Sequence, residues 1–552
     1  MLGKPSRRTK RLIVAGTLIA LLVFVVLLLP VFFLLKHPET RTVQMVSSPS
    51  PWNLPTVLQC IPPLKHDTQG RWPLLLWIPL EMKKGDHNRG QPLPVEVYSE
   101  LRKRGLALPI GLNEKFIPMA LAMQKAGCPV IITEGLGGNG PGGDAPDTLH
   151  IFDAGFQVKK GQRVYPCTMI ETGWRNRADK IRATLVKFKE AGVMVNAVWM
   201  DWEVEPFPVD FSQWRQASHC ARCRKMFPKD ALWTPFRHAN FVWLYRNGLF
   251  SEYLAKPVLS VFPDCSVANY DVVFSSKEHP SWTVYGCVYP PMDIGCFTAS
   301  MPDVYGSDAM FKIFWYGGIF DPFHLSSPLR FLRHRWYYTS DQEKTDRVYT
   351  HVMLAQISAD AANRQTISPG KHCVPYIGRY VEDADPGPWI ADCTMGLAGN
   401  VTKKPGVPSR PILSRVRYRE ILRHVWLRGV MTMVVFNPFT PQHPDFCIEE
   451  AEDAVAVYDE MLAWKEFLDK GSVMNTTIPS CQEKEAIWSG LRLDTEAVVR
   501  AFTQGAEPVR FRIVPWLGLP EVDLTATPEG KTYWVKRKGI NEIVVETIER
   551  HR

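Results

Sequence analysis

This 552-residue chain predicts a (β/α)8 barrel of TIM type, with a small antiparallel β domain at its C-terminal end and an apolar helix at its N-terminal end. Three observations lead there. Short apolar, β-rich runs alternate with helical stretches over about 400 residues, the rhythm of a parallel sheet covered by helices. Six or seven strands can be counted on that rhythm, and eight close a barrel. Polar and aromatic residues gather at the C-terminal ends of the apolar runs, the face on which barrels of this type carry their sites. The competing architecture is a doubly wound sheet. No Gly-x-Gly-x-x-Gly follows an early strand, and the glycine-rich "EGLGGNGPGGD" (134–144) is not followed by a helix start, so phosphate binding there is not expected.

The chain is too long for one compact core. Its 45% hydrophobic and 22% charged residues are ordinary for a folded protein. The formal charge is +9, but the first 36 residues hold six of the 65 Lys and Arg and no acid. The rest is close to neutral, without the basic footprint of a nucleic-acid binder.

Residues 1–11, "MLGKPSRRTKR", form a basic tail. Residues 12–35 run 24 positions without a charge, about 36 Å of helix against a bilayer core of about 30 Å. That run is longer than a signal peptide's apolar region, and "PVFFLLKHPETR" has no small-residue cleavage site. An uncleaved transmembrane anchor is expected. Lys4, Arg7, Arg8, Lys10 and Arg11 hold that end in the cytoplasm, which puts everything after Lys36 outside it. Twelve cysteines lie between Cys60 and Cys481. An even number in an exported chain predicts disulfides. "HCARC", with His219, Cys220 and Cys223, could seed a zinc site, but no second Cys-x-x-Cys completes a four-ligand set. A structural disulfide is the preferred reading, and neither a metal nor a cofactor is expected.

Residues 36–70 are rich in Pro, Ser and Thr and read as a juxtamembrane linker. The barrel is assigned to 71–472. "PLLLWIPLE" (73–81) reads as a buried strand. The helical "KFIPMALAMQKAGC" (115–128) feeds the strand "PVIITEG" (129–135). The amphipathic 177–193 ends near Gly192, a helix-stop glycine, and feeds "VNAVWMDWE". Helices over 234–262, 345–365 and 417–430 precede strands at 265–274, 373–381 and 431–439, and a helix over 449–471 closes the series. From 473 to 552 the pattern alternates apolar and polar, as in an antiparallel sheet.

The stretch with chemistry in it is "VNAVWMDWEVEPF" (195–207). Residues two apart on a strand share a face, so Asp201, Glu203 and Glu205 line up where a buried strand surfaces. Two carboxylates about 6–7 Å apart along one strand repel, and one pKa should rise. A neutral carboxylic acid beside a charged one suits acid-assisted glycosidic cleavage. The bland alternative is a polar network or a pairing with Arg379. Glu203 and Asp201 are the candidate catalytic pair, and Glu205 is assigned to the following loop. Asp271 in "ANYDVV" is the candidate second carboxylate from another strand, and Asn437 a hydrogen-bonding group for a sugar hydroxyl. Trp199, Tyr270, Tyr305, Trp315, Tyr376 and Trp389 lie near strand ends, where aromatic faces stack on sugars. No serine nucleophile elbow and no His-Glu-x-x-His is present.

"AVWMDWEVEP" resembles the catalytic strand of the hyaluronidase-type glycoside hydrolases, an apolar run followed by Asp-Trp-Glu. That family is a (β/α) barrel that cleaves polymers containing N-acetylhexosamine. The resemblance implies that Glu203 donates the proton while Asp201 orients the substrate's own acetamido group, which attacks the sugar carbon. "MPDVYGSD" resembles the family's segment with a substrate-facing Tyr, here Tyr305. "VPYIGRY" is similar to its later strand, which points to Tyr376 and Arg379. The motif continues here as Val204-Glu205-Pro206-Phe207 where the family has Glu-Trp-Arg-Pro, and the resemblance extends over the barrel alone. The expected function is a membrane-anchored extracytoplasmic glycoside hydrolase acting on a polysaccharide or glycan. The alternative is a non-catalytic cell-surface barrel that binds glycan or protein.

Overall fold

The computed structural model describes residues 58, 60–77, 92–134, 150–159, 164–202, 211–271, 283–284, 287–288, 293–304, 342–379, 413–435, 444–479, 483–539 and 542–548. Eight parallel strands form a closed ring. They are β1 (Leu74–Leu76), β2 (Leu106–Ala107 continued by Ile110–Gly111), β3 (Val130–Glu134), β4 (Val195–Met200), β5 (Ser266–Asp271), β6 (Ala299–Val304), β7 (His372–Cys373 continued by Tyr376–Ile377) and β8 (Val434–Val435). Each pairs in parallel with the next, and β8 pairs back onto β1 through Leu75–Val434 and Leu76–Val435. This is the (β/α)8 barrel the sequence predicts.

The ring closes because its strands are apolar on both faces. Alternate residues, among them Leu75, Ala107, Ile131, Trp199, Ala268, Met301, Val374 and Val434, fill the interior as one cluster. The residues between them, such as Leu74, Val130, Ile132, Val198, Val267 and Val435, pack outward under the helices. Those helices are α1 (Val95–Lys103), α2 (Ile117–Lys125), α3 (Thr172–Glu190), α4 (Phe211–Ser218), α5 (Ala221–Met226), α6 (Pro235–Phe250), α7 (Lys256–Val261), α8 (Gln342–Thr366), α9 (Arg415–Trp426) and α10 (Pro444–Leu462). The helix α3 shows why. Trp174, Ala178, Ile181, Leu185 and Phe188 recur every three or four positions and are buried. Gly192, at φ 81°, then turns the chain into β4.

Two strands escape the sequence pattern. Both β2 and β6 contain a proline, Pro109 and Pro302, and proline ordinarily argues against a central strand. Here Pro109 sits where β2 is interrupted, and Pro375 does the same in β7, so little ladder is lost.

Beyond the barrel, β9 (Ser472–Val473), β10 (Ala486–Arg492), β11 (Glu496–Thr503), β14 (Lys531–Arg537) and β15 (Ile543–Ile548) form an antiparallel sheet in that order. A hairpin of β12 (Val509–Ile513) and β13 (Val522–Ala526) closes a second small core with it. The sheet is bolted to α9 by buried polar contacts. Arg500 Nη2 donates to Glu420 Oε2 at 2.7 Å, and Arg428 Nε donates to Ser489 Oγ at 3.0 Å.

Among the described residues no helix is long and apolar enough to cross a membrane. The expected anchor, 12–35, lies outside them. The expected disulfides do not form among the described side chains: Cys60, Cys128, Cys167, Cys220, Cys223, Cys265, Cys296 and Cys373 are free thiols. Cys128, Cys265 and Cys373 are buried singly against the barrel's outer face, while three others converge on one histidine.

Candidate active site at the barrel mouth

The strand β4 leads into Asp201 at the C-terminal end of the ring. Its ladder with β3 is irregular at the start. Val130 pairs with Val195 and Ile131 with Ala197, so Asn196 is bulged, and its side-chain oxygen accepts the Val130 N–H at 2.8 Å. From there Ala197 and Trp199 face the interior, and Asp201 continues that alternation. The Asp201 N–H still donates to the Glu134 carbonyl at 2.8 Å, so the chain remains extended past the formal end of β4. Asp201 is half-buried.

The next residue is held firmly. Asn269 on β5 accepts the Trp202 N–H at 3.0 Å and donates to the Trp202 carbonyl at 2.8 Å. A side-chain amide thus does what another strand residue would do and carries the ladder beyond Met200. The Trp202 ring packs outward against α3, tilted on Trp174 at 6.3 Å and under the Arg177 guanidinium at 5.3 Å. Arg177 is ion-paired with Glu134, and burial pulls its pKa below the usual guanidinium value.

Three aromatic rings gather at the same end of the barrel. Trp77, just past β1, meets the Tyr376 ring edge-on at 5.1 Å, and Tyr270 meets it edge-on at 5.3 Å. Tyr270 and Tyr376 are both interior residues, as expected of groups at strand C-terminal ends. Asp271 ends β5 one residue past Tyr270, its backbone paired with Pro302.

Two expected substrate residues sit elsewhere. Trp199 is 0% exposed. Its Nε1–H donates to Ser266 Oγ at 3.1 Å, and its ring lies 5.6 Å from Trp72. Ser266 starts β5 and Trp72 precedes β1, so the ring points to the N-terminal end of the barrel and fills the core. Arg379 follows β7 but turns outward. Its Nε donates to the Leu413 carbonyl at 2.7 Å and its Nη1 to Glu449 Oε2 at 2.5 Å, and its backbone N–H to Glu450 Oε1 at 2.7 Å. Burial pushes the Glu450 carboxyl up to about 8. Arg379 therefore ties β7 to α10. Glu203, Glu205, Tyr305, Trp315, Trp389 and Asn437 lie outside the described residues. Sequence reasoning missed Asn269 and Trp77: an asparagine inside an apolar strand was the available signal for the first.

No protein-family model and no curated protein matches the chain. Solved structures with a similar outline include an alpha-amylase from Anoxybacillus, 9% identical, covering 88% of this chain and 100% of its own at a TM-score of 0.38. An isomaltulose synthase from Klebsiella is 10% identical, covers 84% and 98%, and has a TM-score of 0.41. A GH36 alpha-galactosidase from Geobacillus stearothermophilus is 10% identical, covers 88% and 57%, and has a TM-score of 0.38. At these scores the likeness says nothing about chemistry, and the barrel stands on its own strand pairing.

Proposed function

We propose that the protein is a membrane-anchored, extracytoplasmic glycoside hydrolase that cleaves a polysaccharide or glycan, with Glu203 as proton donor. The observation that supports this reading is the position of Asp201: the next residue after Trp199 in the interior-facing alternation, at the C-terminal end of a closed barrel that also carries Tyr270 and Tyr376 inward. A sugar ring stacked on that mouth presents its glycosidic oxygen to carboxylates from β4. Glu203, two residues on in the sequence, is assigned the donor's part. It protonates the leaving oxygen, and Asp201 steadies the positive charge that develops at the ring. On an N-acetylhexosamine, Asp201 instead orients the acetamido oxygen that attacks the sugar carbon, in line with the resemblance to hyaluronidase-type enzymes. Residues 12–35 anchor the chain, and the barrel faces away from the cytoplasm.

The test is a panel of polysaccharides offered to the full-length protein, read by new reducing ends. Wild type releases them from at least one polymer, and Glu203→Gln does not while keeping the wild-type circular dichroism. Binding without product in the wild type, undiminished in Glu203→Gln, overturns the catalytic reading in favour of a glycan-binding barrel.

A further inference from the structure

Away from the mouth, the segments on either side of β4 meet in a cluster of thiols and imidazole. His150 and Cys167 lie between β3 and α3, in the segment that leads into that helix. Cys220 and Cys223 lie after β4, at the start of α5. Their ligand atoms all fall within 4.8 Å of one another. Cys167 Sγ is 3.2 Å from Cys223 Sγ, and Cys223 Sγ is 3.5 Å from His150 Nδ1.

We propose that His150, Cys167, Cys220 and Cys223 form a structural zinc site that staples the loop before α3 to the helices after β4. The donor set is three sulfurs and one imidazole nitrogen, the soft-to-borderline combination that selects zinc. The spacing fits. A tetrahedron with Zn–S bonds of about 2.3 Å has edges of about 3.8 Å; the Cys223–His150 contact at 3.5 Å lies close to that, and the Cys167–Cys223 contact at 3.2 Å opens by about 0.6 Å when the ion enters. The three sulfurs are fully or nearly fully buried and the histidine is half-buried, so the site is closed and has no open coordination position for a substrate. Four protein ligands mark a structural site.

The surroundings are built to hold these ligands. Phe152 and Cys220 form an antiparallel bridge. The Ala221 N–H donates to the Ile151 carbonyl at 2.9 Å and the Asp153 N–H to the His219 carbonyl at 3.0 Å. Arg224 is ion-paired with Asp153 across the same seam. Phe227, Ala231, Val242 and Ala217 pack around the sulfurs and exclude water. Binding converts three thiols to thiolates and releases their protons to solvent. The complex then carries about one net negative charge, which lies near the Arg224 guanidinium.

His219 has a different part. It stacks on Phe156 at 4.4 Å with its Nδ1 3.6 Å from Asp153. The Cys-x-x-Cys pair is therefore completed by residues 53 and more positions upstream, not by the histidine beside it.

The test is metal analysis of the full-length protein purified from zinc-replete cells. The expected result is about one zinc per chain. After chelation, cobalt reconstitution gives the visible bands of a tetrahedral thiolate site. His150→Cys keeps the zinc as a four-sulfur site and His219→Ala keeps it unchanged, whereas the double variant Cys220→Ser, Cys223→Ser loses it. Chelation also lowers the Tm and opens the 150–170 and 211–226 segments to protease. Absence of both zinc and a cobalt spectrum in wild type overturns the proposal, as does a Cys167–Cys223 disulfide found by mass spectrometry under non-reducing conditions. Full zinc occupancy in the double variant does the same. Should that variant fail to fold, the wild-type cobalt spectrum decides alone. None of these readouts depends on glycosidase activity.

Discussion

Asn269 on β5 grips both polar groups of the Trp202 peptide, accepting its N–H and donating to its carbonyl at 3.0 and 2.8 Å. That one side chain fixes the backbone just past Asp201. It extends the pairing of the two strands past their last backbone rung, where Met200 stands opposite Asn269 itself.

Replacing Asn269 by Ala leaves a buried N–H and C=O unpaired. Each costs about 1–3 kcal/mol. The expected loss is therefore several kcal/mol, read as a lower urea midpoint with an unchanged m-value. Under the proposed function, Asn269→Asp lowers turnover more than it lowers Tm, since it keeps the acceptor for Trp202 N–H but sets a carboxylate oxygen against the Trp202 and Tyr270 carbonyls. Wild-type stability in Asn269→Ala means the clamp is not formed.

General acid catalysis contributes roughly 10²- to 10⁴-fold. Glu203→Gln should lower kcat/KM by about that factor on a natural glycan. With an aryl glycoside whose leaving group needs no proton, the loss should shrink. An equal loss on both substrates assigns Glu203 a role other than acid.

Trp77 lies half-buried at the mouth, edge-on to Tyr376. Trp77→Ala removes a stacking face worth about 1 kcal/mol, so KM should rise several-fold with kcat nearly kept. A fall in kcat with unchanged KM places Trp77 outside the substrate's resting position.

Acid should loosen the junction between barrel and β domain. His424 is fully buried, donating to or accepting from Ser489 Oγ at 2.9 Å, and burial pulls its pKa from 6.5 to about 4. Between those values the unfolded chain takes up a proton that the folded one refuses. Stability is full above pH 6.5 and falls toward pH 4, by up to about 1.4 kcal/mol per pH unit. The Glu420 carboxyl is held well below its usual value by Arg500 and His424 against the opposing effect of burial. Its contribution is present above about pH 4.5 and is lost as the pH falls through that depressed value. Urea titrations at pH 7 and pH 5 read the histidine limb, and His424→Gln should flatten it. An identical pH slope in the variant excludes His424 as its source.

Removing the acid altogether is a harsher test of the same junction. Glu420→Ala leaves the buried Arg500 guanidinium without a carboxylate, holding only the Thr532 hydroxyl and the Glu529 carbonyl, with Arg423 keeping Glu460 as a partner. Breaking a buried pair this way costs about 3–5 kcal/mol. A calorimetric Tm unchanged from wild type shows that Arg500 finds another partner or water.

The barrel was legible in the chain because its cause is local. Runs such as "VNAVWM" are apolar at nearly every position, which only a strand covered on both sides requires, and the period of α3 is a one-dimensional pattern. The polarity switch at Asp201 was legible for the same reason, since alternation alone sets its face. Closure was not. The strands β2 and β6 carry Pro109 and Pro302, and local rules read these as breaks; the ring accepts them because neighbours on both sides hold short stretches in register. Trp199 and Arg379 were placed by proximity along the chain to the right strand ends, yet one ring turns down into the core and one guanidinium turns out to α10, because free volume and buried carboxylates are properties of the packed molecule. The strongest contrast is at "HCARC". Two cysteines in a row of five residues suggest a metal or a disulfide and cannot choose. His150 and Cys167 choose, from the far side of β4, because a tetrahedron is closed through space by whatever the fold brings within a few ångströms.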